Sequence, residues 1–135
     1  MVGIRGAAWS IGGLLLTSCA AQTALSSAAS VEAVSSTNFR LERPIVSQNG
    51  GTTRVYGTVC RAANRALMSP SRIEIDHLDA TGTRVDTAYA FLPSLSRRPD
   101  QRCGHYAGTV SSRVTSTDTV RVCIARVGKV CPPGK

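Results

Sequence analysis

Aromatic residues are scarce here, with one Trp, three Tyr and two Phe in 135 residues. None of them interleaves with basic side chains. A single-stranded nucleic-acid platform needs such stacking, so nucleic acid is not the expected partner despite a net charge of +8. No apolar run approaches the ~20 residues that a spanning helix requires. Five cysteines occur without a C-x-x-C spacing, which argues against both a redox dithiol and a zinc knuckle. Only two histidines are present, and Gly-x-Ser-x-Gly is missing. Gly50-Gly51 is not followed by Lys-Ser/Thr, so it is a turn and not a phosphate loop. The eight carboxylates are scattered, no internal repeat is visible, and no cofactor is expected.

What is present begins with a leader. Arg5 precedes a short apolar stretch, Trp9, Ile11 and Leu14 to Leu16, interrupted by Gly12 and Gly13. That is the apolar core of a secretory signal, spanning residues 1–18. It ends in Leu16-Thr17-Ser18-Cys19, an aliphatic residue, two small residues and a cysteine. This resembles the lipobox of bacterial lipoproteins. The resemblance implies that Cys19 becomes the lipidated first residue of the mature chain. With Ala20 and not Asp following it, the expected address is the periplasmic face of the outer membrane. Cleavage near Ala20 or Ala21 would instead leave a periplasmic or secreted protein. Residues 19–37 are rich in Ser and Ala, with Glu32 as the one charge, and are expected to form a flexible tether of about 20–25 Å.

From Asn38 the period becomes two. Phe39, Leu41 and Ile45 alternate with polar residues, and Pro44, which has no N–H to donate, makes this an edge strand. Residues 52–61 set Val55, Gly57 and Val59 against Arg54, Tyr56 and Thr58. A loop is expected over 62–70. Further strands are expected over 72–79, with Ile73 and Ile75 inward, 84–92, with Val85, Tyr89 and Phe91 on one side, 102–111 and 119–127. Short alternating segments with turns between them predict an all-β domain over 38–135. The order, with the Val-x-Gly-x-Val piece and the Asp79-Ala80-x-Gly82 turn, resembles the immunoglobulin/fibronectin-like antiparallel β-sandwiches of bacterial envelope proteins, such as the FxLYD type. A small β-barrel is the alternative.

With Cys19 set aside, Cys60, Cys103, Cys123 and Cys131 remain. An even count in an exported chain reads as a disulfide framework with three possible pairings. The sandwich order implied by the resemblance lays 52–61 antiparallel to 102–111. It thereby pairs Cys60 with Cys103 and leaves Cys123 to join Cys131 across a hairpin. That order also gathers Arg61, Arg65, Arg72, Arg97, Arg98, Arg102, Arg126 and Lys129 at one end, against Asp100 alone. The tether is expected to enter at this same end. Such a pole would suit acidic lipid headgroups, lipopolysaccharide phosphates or an acidic envelope protein.

His77 in Asp76-His77-Leu78-Asp79, and His105 in Cys103-Gly104-His105-Tyr106, are the only candidates for general-base or metal chemistry. Adjacent strand residues face opposite ways, so Asp76 and Asp79 are not expected on the side of His77. The expectation is therefore a non-enzymatic binding or scaffolding module anchored by lipid, without metal. A small periplasmic hydrolase or metal-binding protein using His77 or His105 is the alternative. The lipid anchor has a direct check. Intact mass of the protein extracted from membranes is expected to begin at Cys19 with acyl additions, and an unmodified start at Ala21 or beyond refutes it.

Overall fold

The computed structural model describes residues 29–62 and 71–132. The leader, Cys19 with the first part of the expected tether, and the 63–70 loop with Arg65 lie outside the described residues. Eight strands form: β1 Ser30–Val34, β2 Phe39–Leu41, β3 Ile45–Asn49, β4 Thr52–Arg61, β5 Ser71–Leu78, β6 Arg84–Ala90, β7 Cys103–Val110 and β8 Thr119–Arg126. A short 3-10 turn, Pro99–Gln101, precedes β7. In sheet 1, β2 and β3 lie end to end along one side of β4, and β7 lies along the other. Sheet 2 runs β1-β8-β5-β6. The two sheets pack face to face as an all-β sandwich and do not close into a barrel. No helix among the described residues is long and apolar enough to cross a membrane.

The core follows from how β4 meets β7. Their inward residues pair Val59 with Gly104, Gly57 with Tyr106 and Val55 with Gly108. Each pair sets one bulky side chain against a glycine. A Cβ at Gly57 would sit 2.7 Å from the Tyr106 hydroxyl, and one at Gly108 would sit 2.6 Å from Ile75 Cδ1. A Cβ at Gly104 would lie 2.7 Å from Pro93. The glycines are thus the sockets into which Tyr106, Ile75 and Pro93 fit. Ile73, Ile75, Val120 and Val122 close the core from sheet 2. The Tyr106 hydroxyl is buried without a hydrogen-bond partner, and burial pushes its pKa up to about 12.

Two expectations are corrected. Residues 30–34, placed in the tether, form a strand parallel to β8, with Ser30 opposite Thr119 and Val34 opposite Cys123. Val31 packs against the core, which the isolated apolar residues of a Ser/Ala-rich stretch did not signal. Ile45, expected inward, is 45% exposed while Val46 is 1% exposed. The cause is a one-residue slip. Leu41 pairs with Val59, but Ile45 pairs with Tyr56, so the segment around Pro44 carries an extra residue and inverts the faces of β3. Val85, Tyr89 and Phe91 do share a side, and all three are exposed.

Both disulfides are present, Cys60–Cys103 and Cys123–Cys131. Cys60 and Cys103 are direct cross-strand partners of β4 and β7. Loop-closure entropy assigns them about 4 and about 2.5 kcal/mol respectively. Gly57→Ala is expected to lower stability by about 1–3 kcal/mol through overpacking against Tyr106. Tyr106→Phe, which deletes only the unpartnered hydroxyl, is expected to be neutral or stabilising. Urea denaturation of both variants checks this, and a neutral Gly57→Ala would contradict the socket packing.

Candidate functional site

The two outer faces of the sandwich differ. On sheet 2 the outward row of β5 carries Glu74 and Asp76, both fully buried although they face away from the core. Arg84 Nη2 lies 3.0 Å from Asp76 Oδ2 and 3.5 Å from Glu74 Oε1. Thr87 donates its hydroxyl to Asp76 Oδ1 at 2.8 Å. After β8 the chain folds back, held by Cys123–Cys131, and the Cys131 N–H donates to Glu74 Oε1 at 3.3 Å. Cys123, Ala125, Cys131 and Val34 form a second small cluster over this face. Glu74, Asp76 and Cys131 are close enough together to hold an ion. However, the Cys131 sulfur is spent in a disulfide, and the carboxylates already face arginine. The β5 row of this face is covered, while Val85, Tyr89 and Phe91 beside it stay exposed.

The outer face of sheet 1 is open. Register places Ser47, Arg54 and Thr109 in one row, then Ile45, Tyr56 and Ala107, then Thr58 and His105, then Arg40, Cys60 and Cys103. The middle rows line a groove of about 710 Å³ that includes Ile45, Arg54, Tyr56, Thr58 and His105. His105 Nδ1 lies 3.4 Å from the Thr58 hydroxyl. Beside it, at the disulfide, Arg40, Arg61, Arg102 and Pro99 line a recess of about 390 Å³. Arg102 Nε donates to the Arg97 carbonyl at 3.3 Å. Arg40, Arg54 and Tyr56 were not among the sequence candidates. The signal was an aromatic and two arginines on the polar side of alternating strands, and the expectation that no aromatic stands among basic side chains is corrected at Tyr56.

The ends also differ. Arg61, Arg72, Arg97, Arg98, Arg102, Arg126 and Lys129 do fall at one end, where β4 finishes and β5 and β7 begin. Arg72 is drawn away from solvent, its guanidinium 3.7 Å from the Tyr89 ring centroid and 4.0 Å from Glu74. Among the described residues, Arg40, Arg97, Arg98, Arg102, Arg126 and Lys129 form no ion pair with a carboxylate. The expected placement of the tether is corrected. Ser30 donates its N–H to the Asp118 carbonyl, so the first described strand starts at the opposite end, whereas β2 starts at the basic one. The parallel β1 strand, unforeseen in the sequence, is the reason.

At that opposite end His77 is 3% exposed. Its Nε2 donates to Asp118 Oδ2 at 2.9 Å, and its Nδ1 lies 2.7 Å from the Ser112 hydroxyl. Asp86 Oδ2 accepts from the Ser111 N–H at 2.8 Å and from the Ser112 hydroxyl at 3.4 Å. Thr53, on β4, donates to the Ser112 carbonyl and accepts from the Val114 N–H. A serine, a histidine and an aspartate are thus joined in line, but none of them lines either of the sheet 1 recesses described above. Their evident effect is to clamp the 111–118 loop onto the sandwich. His77 and His105 are not brought together: one is buried at the sandwich end, and the other is exposed on sheet 1. Asp76 and Asp79 stand apart from His77, whereas Asp118, 41 residues away, meets it.

Compared with protein-family models, curated proteins and solved structures, the chain matches none. The class that the structure itself defines is a disulfide-bonded β-sandwich with one open face and one basic end.

The Thr115 backbone N–H, and then the His77 ring, hold the Asp118 carboxyl below its ordinary value of 3.8 against the opposing effect of burial. Stability from a lowered carboxylate is complete above that ordinary value and is lost as pH falls through the folded one. Asp118→Asn is therefore expected to be less stable than the parent at neutral pH, with the gap closing below about pH 4. Urea midpoints across that range check it, and a gap that persists unchanged into strong acid contradicts it.

Proposed function

We propose that this chain is an exported envelope lipoprotein whose β-sandwich is a non-enzymatic binding module for an anionic envelope component. The observation that carries this is the set of exposed arginines at one end, without carboxylate partners among the described residues. Arginine forks match phosphate and carboxylate groups, and unpaired cations at one end attract an anionic surface. Two disulfides suit an oxidising compartment outside the cytoplasm.

The second reading, a small hydrolase, is favoured by the Ser112–His77–Asp118 array. A serine nucleophile needs an adjoining substrate cleft and an oxyanion site as well as a base. A fluorophosphonate probe separates the two readings. No labelling of Ser112 is expected, and labelling that disappears in His77→Ala would establish the hydrolase. In-cell crosslinking of the full-length protein tests the binding module. Crosslinks concentrated in residues 97–102 and 126–129 are expected, and an even spread over both ends would remove the basic end as the binding element.

A further inference from the structure

The open face of sheet 1 has a length and a chemistry that a basic end alone does not require. Arg54 and Arg40 stand on one side of the sheet, Arg40 opposite Cys60. Cys60 is six residues from Arg54 along β4, so the two arginines are separated by about 20 Å. Between them lie Tyr56, 39% exposed, Ile45, 45% exposed, the Thr58 hydroxyl and His105. The cationic groups are at the two extremes, and the centre offers a ring face and neutral hydrogen-bonding groups. The Glu42 N–H donates to the Thr58 carbonyl, so the acid on this edge stands beside the centre and not beside the arginines.

We infer that this face binds an extended anionic oligosaccharide a few sugar rings long. A pyranose ring has an apolar C–H face that packs on an aromatic side chain, and rim hydroxyls that bond Thr58 and His105. Its acidic substituents reach Arg54 at one extreme and Arg40 and Arg102 at the other, where the guanidinium fork takes carboxylate, sulfate or phosphate in two parallel bonds. A lone phosphate or a lipid headgroup would occupy the arginine recess and leave the 710 Å³ groove at Tyr56 unused. A peptide adding as a strand would pair with a sheet edge, β2/β3 or β7, and would not lie on the outward side chains of the central strand β4. This inference rests on the domain being a binding module, and adds the face and the ligand class.

The test is retention of the full-length mature protein on an immobilised array. The array carries tetrasaccharides bearing hexuronate, sulfate or phosphate groups, with neutral tetrasaccharides and phosphatidate and phosphatidylcholine vesicles as references. At least one acidic tetrasaccharide is expected to bind tenfold or more above its neutral counterpart. Tyr56→Ala and Arg40→Gln are each expected to lower that binding about tenfold, Tyr56→Phe to keep it, and Val85→Thr, exposed on sheet 2, to leave it unchanged. Unchanged melting of the variants excludes misfolding. Acidic and neutral tetrasaccharides bound alike, or acidic binding indifferent to Tyr56→Ala, overturns the inference. Binding of phosphatidate vesicles without any acidic tetrasaccharide also overturns it, while leaving the basic-end reading in place.

Discussion

The pairing of β4 with β7 is the constraint on which the remainder of the molecule depends. It is made by fitting large residues onto glycines, Val59 over Gly104, Tyr106 over Gly57 and Val55 beside Gly108. This lets sheet 2 approach closely enough for Ile75 to reach Gly108. At one end of the pair the Cys60–Cys103 bond fixes the register, and the arginine recess forms around it. At the other end Thr53 holds the 111–118 loop, which presents Ser112 and Asp118 to His77. The outward row of the same two strands supplies Arg54, Tyr56, Thr58 and His105. Core packing and the open face are thus two sides of one ladder, and a register shift would disrupt both.

The asymmetry of the outer faces has a chemical origin. Glu74 and Asp76 are on the outward side of a central strand, where two carboxylates need compensation once covered. Arg84 and Thr87 supply it, and the return of the chain to Cys131 adds a backbone donor. Removing a single partner from such a cluster leaves a buried charge uncompensated, which costs several kcal/mol. Among the described residues sheet 1 has no comparable cover, and its small outward Ala107 keeps the centre of its face low between Tyr56, Arg54 and His105.

The alternation of Val55, Gly57 and Val59, the turn signals and the even cysteine count made the all-β sandwich legible in the sequence, because those patterns act over a few residues. The basic end was legible for the same reason, once the strand order was known. Three features were not. The strand Ser30–Val34 has a weak pattern of its own and gains its stability from β8, 89 residues on. The inversion at Ile45 depends on an extra residue near Pro44 that only cross-strand register reveals. The His77–Asp118 contact joins residues 41 apart, and neither neighbour of His77 in sequence takes part. The first of these also places Ser30 at the end of the sandwich opposite to the basic one.

Side-chain footprinting by hydroxyl radicals, in intact envelopes and after purification, tests most directly whether the open face of sheet 1 is the working surface. Tyr56 and Tyr89 are both exposed aromatics, on opposite sheets, so each controls for the other. Tyr56 and His105 are expected to be protected in envelopes and labelled after purification, with Tyr89 and Phe91 labelled alike in both. Protection of Tyr89 and Phe91 with Tyr56 unchanged would place the working surface on sheet 2 and contradict the assignment.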